Sequence, residues 1–403
     1  MYRRRRRFSS TGRGVSFAAG NVYDVAMDRI RICQIITELR PAGAERVVYE
    51  LSTGLDANRF EVHVVGLRGG EVADWLAARG IPVTVLGVRS KLDVARLRQL
   101  IRLLREGRFD LVHTHLFHAD VAGRLAAPRA GVPHLVHTVH VAEMRFRPWR
   151  FLWARLTDKW CDRIVCCSRA VREHHAEKSG LPRSRYEVIY NGIDADAYRP
   201  DPARRAAMRE QWGIGPAEVV LSFVGRLDRQ KGVEFFLDAA ARAHSRRASV
   251  RAVIAGDGPQ RGMVEKFLAR PGAAQWAKWL GFTPHVAGVL AASDVFLIPS
   301  RWEGFGIAAA EAMAARLPVI ATRVPGLSEV IEDGVTGLLV DSGDVNALVE
   351  CIERLADDAP LRERMGRAGE DRVRRLFRID AHLAAHARLY DDVCSPGRAQ
   401  RTT

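Results

Sequence analysis

Hydrophobic residues along this chain are grouped in short continuous runs, and longer stretches with helical spacing separate these runs. From residue 30 to about residue 190 the runs are RICQIIT, EVHVVGL, PVTVLGV, DLVHTHL, HLVHTVH, RIVCCS and YEVIYNG. Short apolar runs of this kind predict buried strands. Strands that alternate with helices predict βαβ units, and therefore a parallel sheet covered by helices on both faces.

The pattern changes between residues 194 and 217, which contain Pro200, Pro202 and Pro216 and show no clear strand. This stretch is predicted to be a linker. The alternation then resumes with VVLSFVG, VRAVIAG, WAKWLGF, DVFLIPS, LPVIAT and TGLLV, and helical spacing continues from Asp344 onward. We therefore predict an α/β protein with two doubly wound halves, whose ligands bind in a cleft at the carboxyl ends of the strands.

Composition narrows the class of protein. The chain has 403 residues, of which 47% are apolar and 27% are charged, as in soluble globular proteins. No window approaches the roughly 20 uninterrupted apolar residues that a membrane-spanning helix needs. The six cysteines show no metal-ligand spacing and are too sparse for a disulfide framework, which points to a reducing cytoplasm. A formal charge of +15 favours nucleic acid, an anionic membrane face or phosphorylated substrates as partners.

Part of this charge lies in residues 1–28, which contain Arg3 to Arg7 and Arg13. The segment has no sustained apolar core, so it resembles neither a secretory signal nor a packed element, and we expect a disordered basic tail. Two explanations stay open. Either the arginines tether the protein to an anionic surface, or residues 1–26 are not translated and the chain starts at Met27.

The strongest chemical pattern is PSRWEGFGIAAAEAMAARLPVIAT at residues 299–322. A buried strand is predicted to end there, and a helix to begin near Ile307. Gly304 and Gly306, in the loop between them, allow the backbone to approach a ligand closely. The free N–H groups and the positive dipole end of a helix start favour a phosphate. This loop is therefore predicted to be a phosphate site.

Two carboxylates, Glu303 and Glu311, lie on either side of this helix start. Glu311 is about one turn inside the helix, so its side chain can point back toward the same pocket. Two such acids are usually a loop residue and a helix residue in contact with water. Because the strand end, the glycines and the helix start coincide here, we expect both carboxylates to act at the phosphate site, with separate roles.

A second pattern, SFVGRLDRQKGVEFFLDAA, places cations at the end of another predicted strand. Gly225 ends the strand, Arg226 follows it, and Lys231 precedes the next helix. Arginine can hold diphosphate oxygens bidentately, whereas lysine acts as a point charge. The glycine spacing does not match a P-loop, and the Ser or Thr of that motif is missing. Arg226 and Lys231 are therefore predicted to bind a diphosphate, and Arg229 to be a solvated loop residue.

Taken together, these stretches resemble the GT-B glycosyltransferases of family 4, also called group 1 glycosyltransferases. The matching segments are GRLDRQKG, IAGDGP, WLGF, PSRWEGFGIAAAEAMA, PVIAT and GLLV, in the order and rough spacing of that family. The resemblance extends over nearly the whole chain from Ile30, and its most specific element is the pair Glu303 and Glu311. It implies a GT-B fold, in which two Rossmann-like domains face a central cleft.

The resemblance also implies the reaction: retaining transfer of a sugar from a nucleotide diphosphate sugar, with UDP or GDP as the nucleotide, no cofactor and no metal. Two cations and a helix start can neutralise the leaving diphosphate without a metal ion. The resemblance implies that Arg226 and Lys231 grip this diphosphate. It implies that Glu311 binds the ribose and that Glu303 touches the sugar near its reacting carbon. The implied donor-binding loop, whose last two amides cap the phosphate, is Gly304, Phe305, Gly306 and Ile307.

Three features of the N-terminal half bear on this site. LRPAGAERVVYELSTGL resembles the family's Gly-Gly-Ala-Glu-Arg element, so Gly43 is implied to lie in a loop facing the site, although Ala42 replaces the first glycine and narrows the approach. His140 matches the histidine that contacts the donor sugar and, with Glu303, is predicted to be catalytic. His113 and His115 share one face of a strand, but no Cys or carboxylate nearby completes a metal site, so no metal is expected.

The resemblance implies three structured parts after the tail. They are an N-terminal acceptor-binding domain at residues 29–200, a nucleotide-sugar-binding domain at 201–375, and a C-terminal helix plus tail at 376–403. The last helices, roughly residues 359–394, resemble the family's helix that crosses back onto the first domain.

Two basic segments raise the question of a membrane. Residues 144–160 interleave arginines with Phe and Trp, and residues 89–108 form a basic amphipathic pattern. Each is either an interfacial helix or an ordinary helix that buries its apolar stripe on the sheet. A polyprenyl-diphosphate-linked or other glycan acceptor at the inner membrane face would account for both segments and for the net charge. We therefore expect a cytoplasmic protein that associates peripherally with an anionic membrane surface.

Three classes of function are compared. The favoured one is a glycosyltransferase of polysaccharide or glycolipid biosynthesis. The second is another GT-B enzyme, such as a glycogen- or sucrose-type synthase or a nucleotide-sugar epimerase, against which length and basicity argue. The third is a non-enzymatic basic protein that binds nucleic acid. The sequence shows no helix-turn-helix, RNP or zinc element, so nucleic acid is not an expected partner.

Overall fold

The computed structural model describes residues 29–90, 93–141 and 148–395. The expectations for residues 1–28, and for the start of the basic aromatic segment at 144–147, lie outside these described residues. Within them the chain forms two all-parallel sheets flanked by helices. The predicted α/β architecture of two doubly wound halves is therefore confirmed.

The first sheet belongs to the N-terminal half. Its strands in the described residues are β1 (Ile30–Ile36), β2 (Phe60–Gly66), β3 (Val83–Val85), β4 (Leu111–His115), β5 (His134–Val139), β6 (Arg163–Cys166) and β7 (Tyr186–Val188). Its helices there are α1 (Gly43–Gly54), α2 (Val72–Ala78), α3 (Val94–Gly107), α4 (Phe117–Ala130), α5 (Pro148–Leu156) and α6 (Arg169–Ser179). The strand order is β3-β2-β1-β4-β5-β6-β7, so the winding reverses between β1 and β4. This switch point opens a crevice at the carboxyl ends.

The second sheet repeats this plan. Its strands in the described residues are β8 (Val219–Val224), β9 (Val250–Ala255), β10 (Ala277–Trp279), β11 (Val295–Ile298), β12 (Val319–Thr322) and β13 (Gly337–Val340). The helices that follow β7 are α7 (Pro202–Trp212), α8 (Val233–Arg246), α9 (Arg261–Leu268), α10 (Ala273–Trp276), α11 (Val286–Ala292), α12 (Ile307–Ala314), α13 (Pro325–Val330), α14 (Val345–Asp357), α15 (Ala359–Leu376) and α16 (Ile379–Cys394). The strand order is β10-β9-β8-β11-β12-β13, with its switch point between β8 and β11.

The predicted linker contains more regular structure than its sequence indicated. A 3-10 turn occupies Ala195–Tyr198, and α7 follows it. Asp201 caps α7 by accepting a hydrogen bond from the Arg204 amide at 2.9 Å, and Pro202 lies in the first turn, where it costs no backbone hydrogen bond. Because α7 packs against α11, it is part of the second half.

The C-terminal helices divide between the two halves. Helix α15 packs against α12, whereas α16 buries Tyr390 and Val393 against Ile32 and Leu111 of the first sheet. The prediction that roughly residues 359–394 cross back is therefore wrong for α15, which stays with the second half. The crossing segment is α16.

The two basic segments form helices on one side of the first sheet. Helix α3 buries Leu100 and Leu104 in the hydrophobic cluster that it shares with α4 and α6, as an ordinary amphipathic helix does. Helix α5 packs on α6 and leaves Trp149, Leu152 and Leu156 exposed by 47%, 54% and 68%. No helix in the described ranges is long and apolar enough to cross a membrane.

Candidate functional site

The carboxyl ends of the two sheets face each other across a cleft of about 390 Å³. His140, directly after β5, lines one wall, and the loop that follows β11 forms part of the other. The walls meet at Gly304, where a Cβ atom would lie only 1.9 Å from the carbonyl oxygen of His140. Glycine alone fits this contact, so Gly304 keeps the two halves together beside the cleft.

Two helices begin near this contact. Helix α1 begins at Gly43 and α12 at Ile307, and a Cβ atom on Gly43 would lie 3.4 Å from Cδ1 of Ile307. Neither flanking residue, Ala42 or Gly306, caps its helix with a side chain. Gly306 has a φ of +96°, a conformation that favours glycine. Two neighbouring helix starts without side-chain caps form a favourable place for an anion.

The second half supplies cations to the same place. The Lys231 ammonium donates to Oε1 of Glu303 at 2.5 Å, and the Ser300 hydroxyl donates to the same oxygen at 2.9 Å. Arg226 lines the cleft, is about half-exposed and pairs with Asp228. Glu303 is buried, so its charge is held in one orientation by two donors. The structure therefore pairs Lys231 with Glu303 and places Arg226 at the cleft, where Asp228 links Arg226 to the backbone of Lys231.

Glycine also fixes the position of the lysine. Gly232 follows Lys231 with a φ of +66°, and a Cβ atom there would lie 2.1 Å from the carbonyl oxygen of Pro299. The amide of Arg301 donates to the carbonyl of Gln230 at 2.7 Å. These contacts hold the loops after β8 and β11 against each other. The two loops, whose sequence patterns predicted a diphosphate site and a phosphate site, therefore form one surface.

Glu311 lies at the boundary between the halves. Its Oε1 accepts a hydrogen bond from the Tyr198 hydroxyl at 2.7 Å and pairs with the guanidinium of Arg46 on α1. Arg46 Nε also donates to Glu50 at 2.8 Å. Burial lowers the pKa of Arg46, but Glu311, Tyr198 and Glu50 outweigh this effect and raise the pKa above its ordinary value.. Arg46 is therefore charged, and it ties the N-terminal half to a predicted donor-site carboxylate.

His140 is held from behind by other polar side chains. Its Nε2 lies 3.0 Å from Nδ1 of His115, whose Nε2 lies 3.1 Å from Oε1 of Gln34. Burial, with smaller contributions from neighbouring histidines, lowers the pKa of His140 to about 3. At neutral pH this imidazole is uncharged, so it can exchange hydrogen bonds with a sugar hydroxyl but cannot supply a positive charge.

The side chain of Phe305 does not face the cleft. It is buried, with ring centroids 5.1 Å from Phe377 and 6.1 Å from Tyr190. Only the backbone of Phe305 is left to contact a donor, and its ring instead packs the predicted loop onto the segment that leads to α16.

The strand-end histidines are satisfied by neighbouring groups. His113 and His115 lie on one face of β4, as expected, with ring centroids 4.1 Å apart. His113 contacts the hydroxyls of Tyr390 and Thr138, each at 2.7 Å. Among the described residues, no group of three or more His, Cys, Asp and Glu side chains is arranged to hold a metal ion.

Comparison with known proteins agrees with this geometry. The family model described as Glycosyltransferase Family 4 matches residues 41–197, and the one described as Glycosyl transferases group 1 matches residues 204–372. The alpha-D-kanosaminyltransferase of Streptomyces kanamyceticus is 34% identical over 271 residues, which are 63% of this chain and 70% of that protein. The chain belongs to the group 1 glycosyltransferases.

Two further likenesses extend over more of the chain. The UDP-Gal:alpha-D-GlcNAc-diphosphoundecaprenol alpha-1,3-galactosyltransferase of Escherichia coli is 27% identical over 350 residues, 83% of this chain and 89% of that protein. The structure of Anabaena Alr3699/HepE in complex with UDP and glucose shares the fold, with a TM-score of 0.81, 22% identity, and coverage of 90% of this chain and 100% of that one. This group 1 glycosyltransferase is a hexosyltransferase-type enzyme of GT-B fold that uses a nucleotide sugar.

Sequence reasoning missed several residues of the glycosyltransferase that support the site. Arg46 and Tyr198 contact Glu311 from 265 and 113 residues away, and Gln34 reaches His140 through His115. The only sequence signal for Arg46 was the Gly-Gly-Ala-Glu-Arg resemblance, which drew attention to Gly43 alone. The Tyr198 contact depends on how the segment before α7 packs on α12, and the Gln34 contact depends on β1 and β4 lying side by side in the first sheet.

Proposed function

We propose that this group 1 glycosyltransferase is a retaining enzyme that needs no metal and no cofactor, and that it moves a sugar from a UDP-sugar onto a glycan or polyprenyl-diphosphate-linked acceptor. The observation that carries the proposal is the meeting of two helix starts, at Gly43 and Ile307, beside Lys231 and Arg226. Together these groups can neutralise a leaving diphosphate, as Mg²⁺ does in other phosphate sites.

Each predicted residue has a role in this proposal. Arg226 and Lys231 bind the diphosphate, and Glu311 binds the ribose. Glu303 and the neutral imidazole of His140 contact the donor sugar from opposite walls. Closure of the two halves excludes water, which limits hydrolysis of the donor.

The names of the relatives support the finer points. The Escherichia coli galactosyltransferase is named for UDP-Gal, for a diphosphoundecaprenol-linked acceptor and for an α-linked product. The Anabaena structure contains UDP. We therefore favour UDP over GDP, and an α-linked product.

The first test is the thermal shift of the purified protein with UDP, GDP and ADP in the presence of EDTA. A ligand at about 100 times its dissociation constant adds about 2.7 kcal/mol to the stability of the folded state, which raises the melting temperature by several degrees. We expect a shift with UDP that Arg226→Ala removes and Arg242→Ala, on the remote surface of α8, does not. No shift with any nucleotide would contradict the proposal, and a shift that needs added metal would contradict metal independence.

We further propose that α5 associates with an anionic membrane where the acceptor lies. Its exposed side chains Trp149, Leu152 and Leu156 follow one another at helical spacing, and Arg155 accompanies them. Apolar and basic side chains together on an exposed helix favour the membrane interface. Arg98, Arg102 and Arg105 of α3 add exposed positive charge on the same side of the sheet.

Vesicle co-sedimentation tests this association. We expect binding to vesicles that contain anionic lipid, less binding to neutral vesicles, and a loss of binding in Trp149→Gln with Leu156→Gln. The matched control is Trp75→Gln, because Trp75 is also exposed but lies on α2, which packs on the other face of the sheet. Equal binding to both kinds of vesicle would contradict the proposal.

A further inference from the structure

Three polar side chains form a row across one face of the first sheet, and the row ends at the cleft. Gln34 lies on β1, His115 ends β4, and His140 follows β5. These strands are neighbours, in the order β1-β4-β5, with Ile36 beside His115 and His115 beside Thr138. Because side chains two residues apart along a strand share a face, all three polar side chains lie on the same face. We call them the polar row.

Hydrogen bonds connect the polar row from end to end. Nε2 of His115 lies 3.1 Å from Oε1 of Gln34, and Nδ1 of His115 lies 3.0 Å from Nε2 of His140. Gln34 and His115 are 0% exposed, and His140 is 9% exposed. An unpaired polar atom is costly at such depth, so each contact must join a donor to an acceptor. This requirement decides which nitrogens carry hydrogen.

The charge state of the two rings completes the argument. Burial, with smaller contributions from neighbouring histidines, lowers the pKa of His115 well below its ordinary value and lowers that of His140 to about 3. Both rings are therefore neutral at pH 7, and a neutral imidazole has one N–H and one lone pair. Oε1 of Gln34 only accepts, so Nε2 of His115 is the N–H. Its Nδ1 then accepts from the Nε2–H of His140, which leaves a lone pair on Nδ1 of His140.

This lone pair belongs to the nitrogen that a ligand can reach. His140 lines the cleft, and its Nε2 is turned toward His115 and the sheet. In the described part of the chain, no group is hydrogen-bonded to Nδ1 of His140. His140 therefore presents to the cleft a nitrogen that accepts a hydrogen bond and has no hydrogen to donate.

The neighbouring histidine of β4 does not join the polar row. Both nitrogens of His113 are occupied, since Nδ1 lies 2.7 Å from the Tyr390 hydroxyl and Nε2 lies 2.7 Å from the Thr138 hydroxyl. The ring centroids of His113 and His115 are nevertheless only 4.1 Å apart. His113 and Tyr390 thus form an equally buried hydrogen bond, close to the polar row but separate from it.

We propose that Gln34 and His115 are positioning residues for sugar transfer, which hold His140 in the tautomer whose Nδ1 accepts a hydrogen bond from a hydroxyl group of the donor sugar. The inference rests on the proposed function, which places the donor sugar at His140. Neither Gln34 nor His115 contacts the donor, and both act through His140. The hydroxyl group then points its hydrogen toward His140, which fixes the orientation of the sugar.

The tautomers can be measured by two-bond proton–nitrogen correlation NMR of protein with isotope-labelled histidine, and His115→Gln and His140→Gln samples assign the two rings. We expect N–H at Nε2 of both rings in wild type. Gln34→Met keeps the side-chain length but removes the acceptor, so part or all of His140 should change to the Nδ1–H tautomer. The matched control Tyr390→Phe removes the buried hydrogen bond of His113 and should leave the tautomer of His140 unchanged.

Two NMR results would overturn the proposal. Nδ1–H at His140 in wild type would mean that the polar row runs in the opposite direction, with the Gln34 amide as donor. An unchanged tautomer in Gln34→Met would mean that Gln34 does not set it.

Calorimetric titration with UDP, UDP-glucose and UDP-galactose measures the consequence for the donor. Gln34→Met should bind UDP as wild type does and bind at least one UDP-sugar roughly two- to tenfold more weakly, the effect of one hydrogen bond. Tyr390→Phe should bind all three as wild type does. A structural defect alone would weaken UDP and UDP-sugar binding by the same factor, and that result, or no change in either, would overturn the proposal. If wild type does not bind UDP, the proposed function fails instead, while the NMR measurement still decides whether Gln34 sets the tautomer.

Discussion

Arg46 lies on α1 in the N-terminal half, yet its guanidinium pairs with Glu311 on α12 in the second half. The Tyr198 hydroxyl donates to the same carboxylate oxygen at 2.7 Å. Both donors contact Oε1, so the ribose hydroxyl that we propose for Glu311 would bind at Oε2. We therefore predict that Arg46→Met weakens UDP binding, although Arg46 is not predicted to contact the nucleotide.

The size of the effect follows from burial. Glu311 is only 4% exposed, and breaking a buried ion pair by removing one partner costs about 3–5 kcal/mol. The Arg46 side chain is 32% exposed and Tyr198 still donates, so solvent and the remaining hydrogen bond reduce this cost to about 1–3 kcal/mol. If the whole cost falls on the closed, UDP-bound form, the dissociation constant rises roughly 5- to 150-fold.

Isothermal titration with UDP and with 2′-deoxy-UDP measures this prediction. Wild type should prefer UDP if Glu311 binds the ribose hydroxyls as proposed, and Arg46→Met should then lose part of that preference as well as affinity. A general loss of stability would lower both affinities equally. The matched control is Arg59→Met, whose exposed pair with Asp391 should contribute at most about 1 kcal/mol and leave UDP binding unchanged. Unchanged UDP affinity and preference in Arg46→Met would refute the reasoning.

Three further predictions concern single groups. Lys231→Met removes the ammonium that we propose binds the diphosphate; a charge-assisted hydrogen bond of this kind contributes about 1.5–3 kcal/mol, so UDP affinity measured by titration should fall at least about tenfold. Gly304→Ala places a Cβ atom 1.9 Å from the carbonyl oxygen of His140, so turnover should fall and the radius of gyration in solution scattering should increase. The control Gly262→Ala, which has open space around it, should change neither. Burial raises the pKa of Glu45 from 4.5 to about 7, so the folded state favours the protonated carboxyl. The stability that this protonated carboxyl contributes is lost as the pH rises through about 7. The free energy of unfolding of Glu45→Gln, relative to that of wild type, should therefore increase by up to about 3 kcal/mol from about pH 5 to pH 8, as measured by denaturant unfolding. The same difference between variant and wild type at both pH values would contradict this.

The fold and the central part of the site could be predicted from local sequence because they depend on local chemistry. A buried run followed by glycines and a helix start forms the Glu303 loop without reference to distant residues. The parallel sheets follow from the alternation of strands and helices. Arg226 and Lys231 lie on the loop after β8, which meets the Glu303 loop because both strands end at the same edge of one sheet.

Other features depend on packing that no local pattern contains. Alternation along β5 places His137 and His140 on opposite faces of the sheet, but only the packing of α4, α5 and α6 shows that the face with His137 borders a pocket. From the sequence, Phe305 was predicted to be a loop residue beside a ligand. Its ring is instead buried against Phe377, and this contact depends on the turn before α16. The contact of Arg46 with Glu311 joins the two halves, so it depends on how they pack against each other.

This packing of the two halves also bears on how a donor enters. The predicted diphosphate site lies between helix starts that approach closely enough for a Cβ atom on Gly43 to touch Ile307 at 3.4 Å. We therefore expect the halves to separate when a diphosphate enters, and separation would break the pair between Arg46 and Glu311. The same pair should therefore slow the entry of UDP and, after closure, slow its release. In stopped-flow measurements Arg46→Met should raise both rate constants, with the larger increase in dissociation, because the net effect on affinity is a loss.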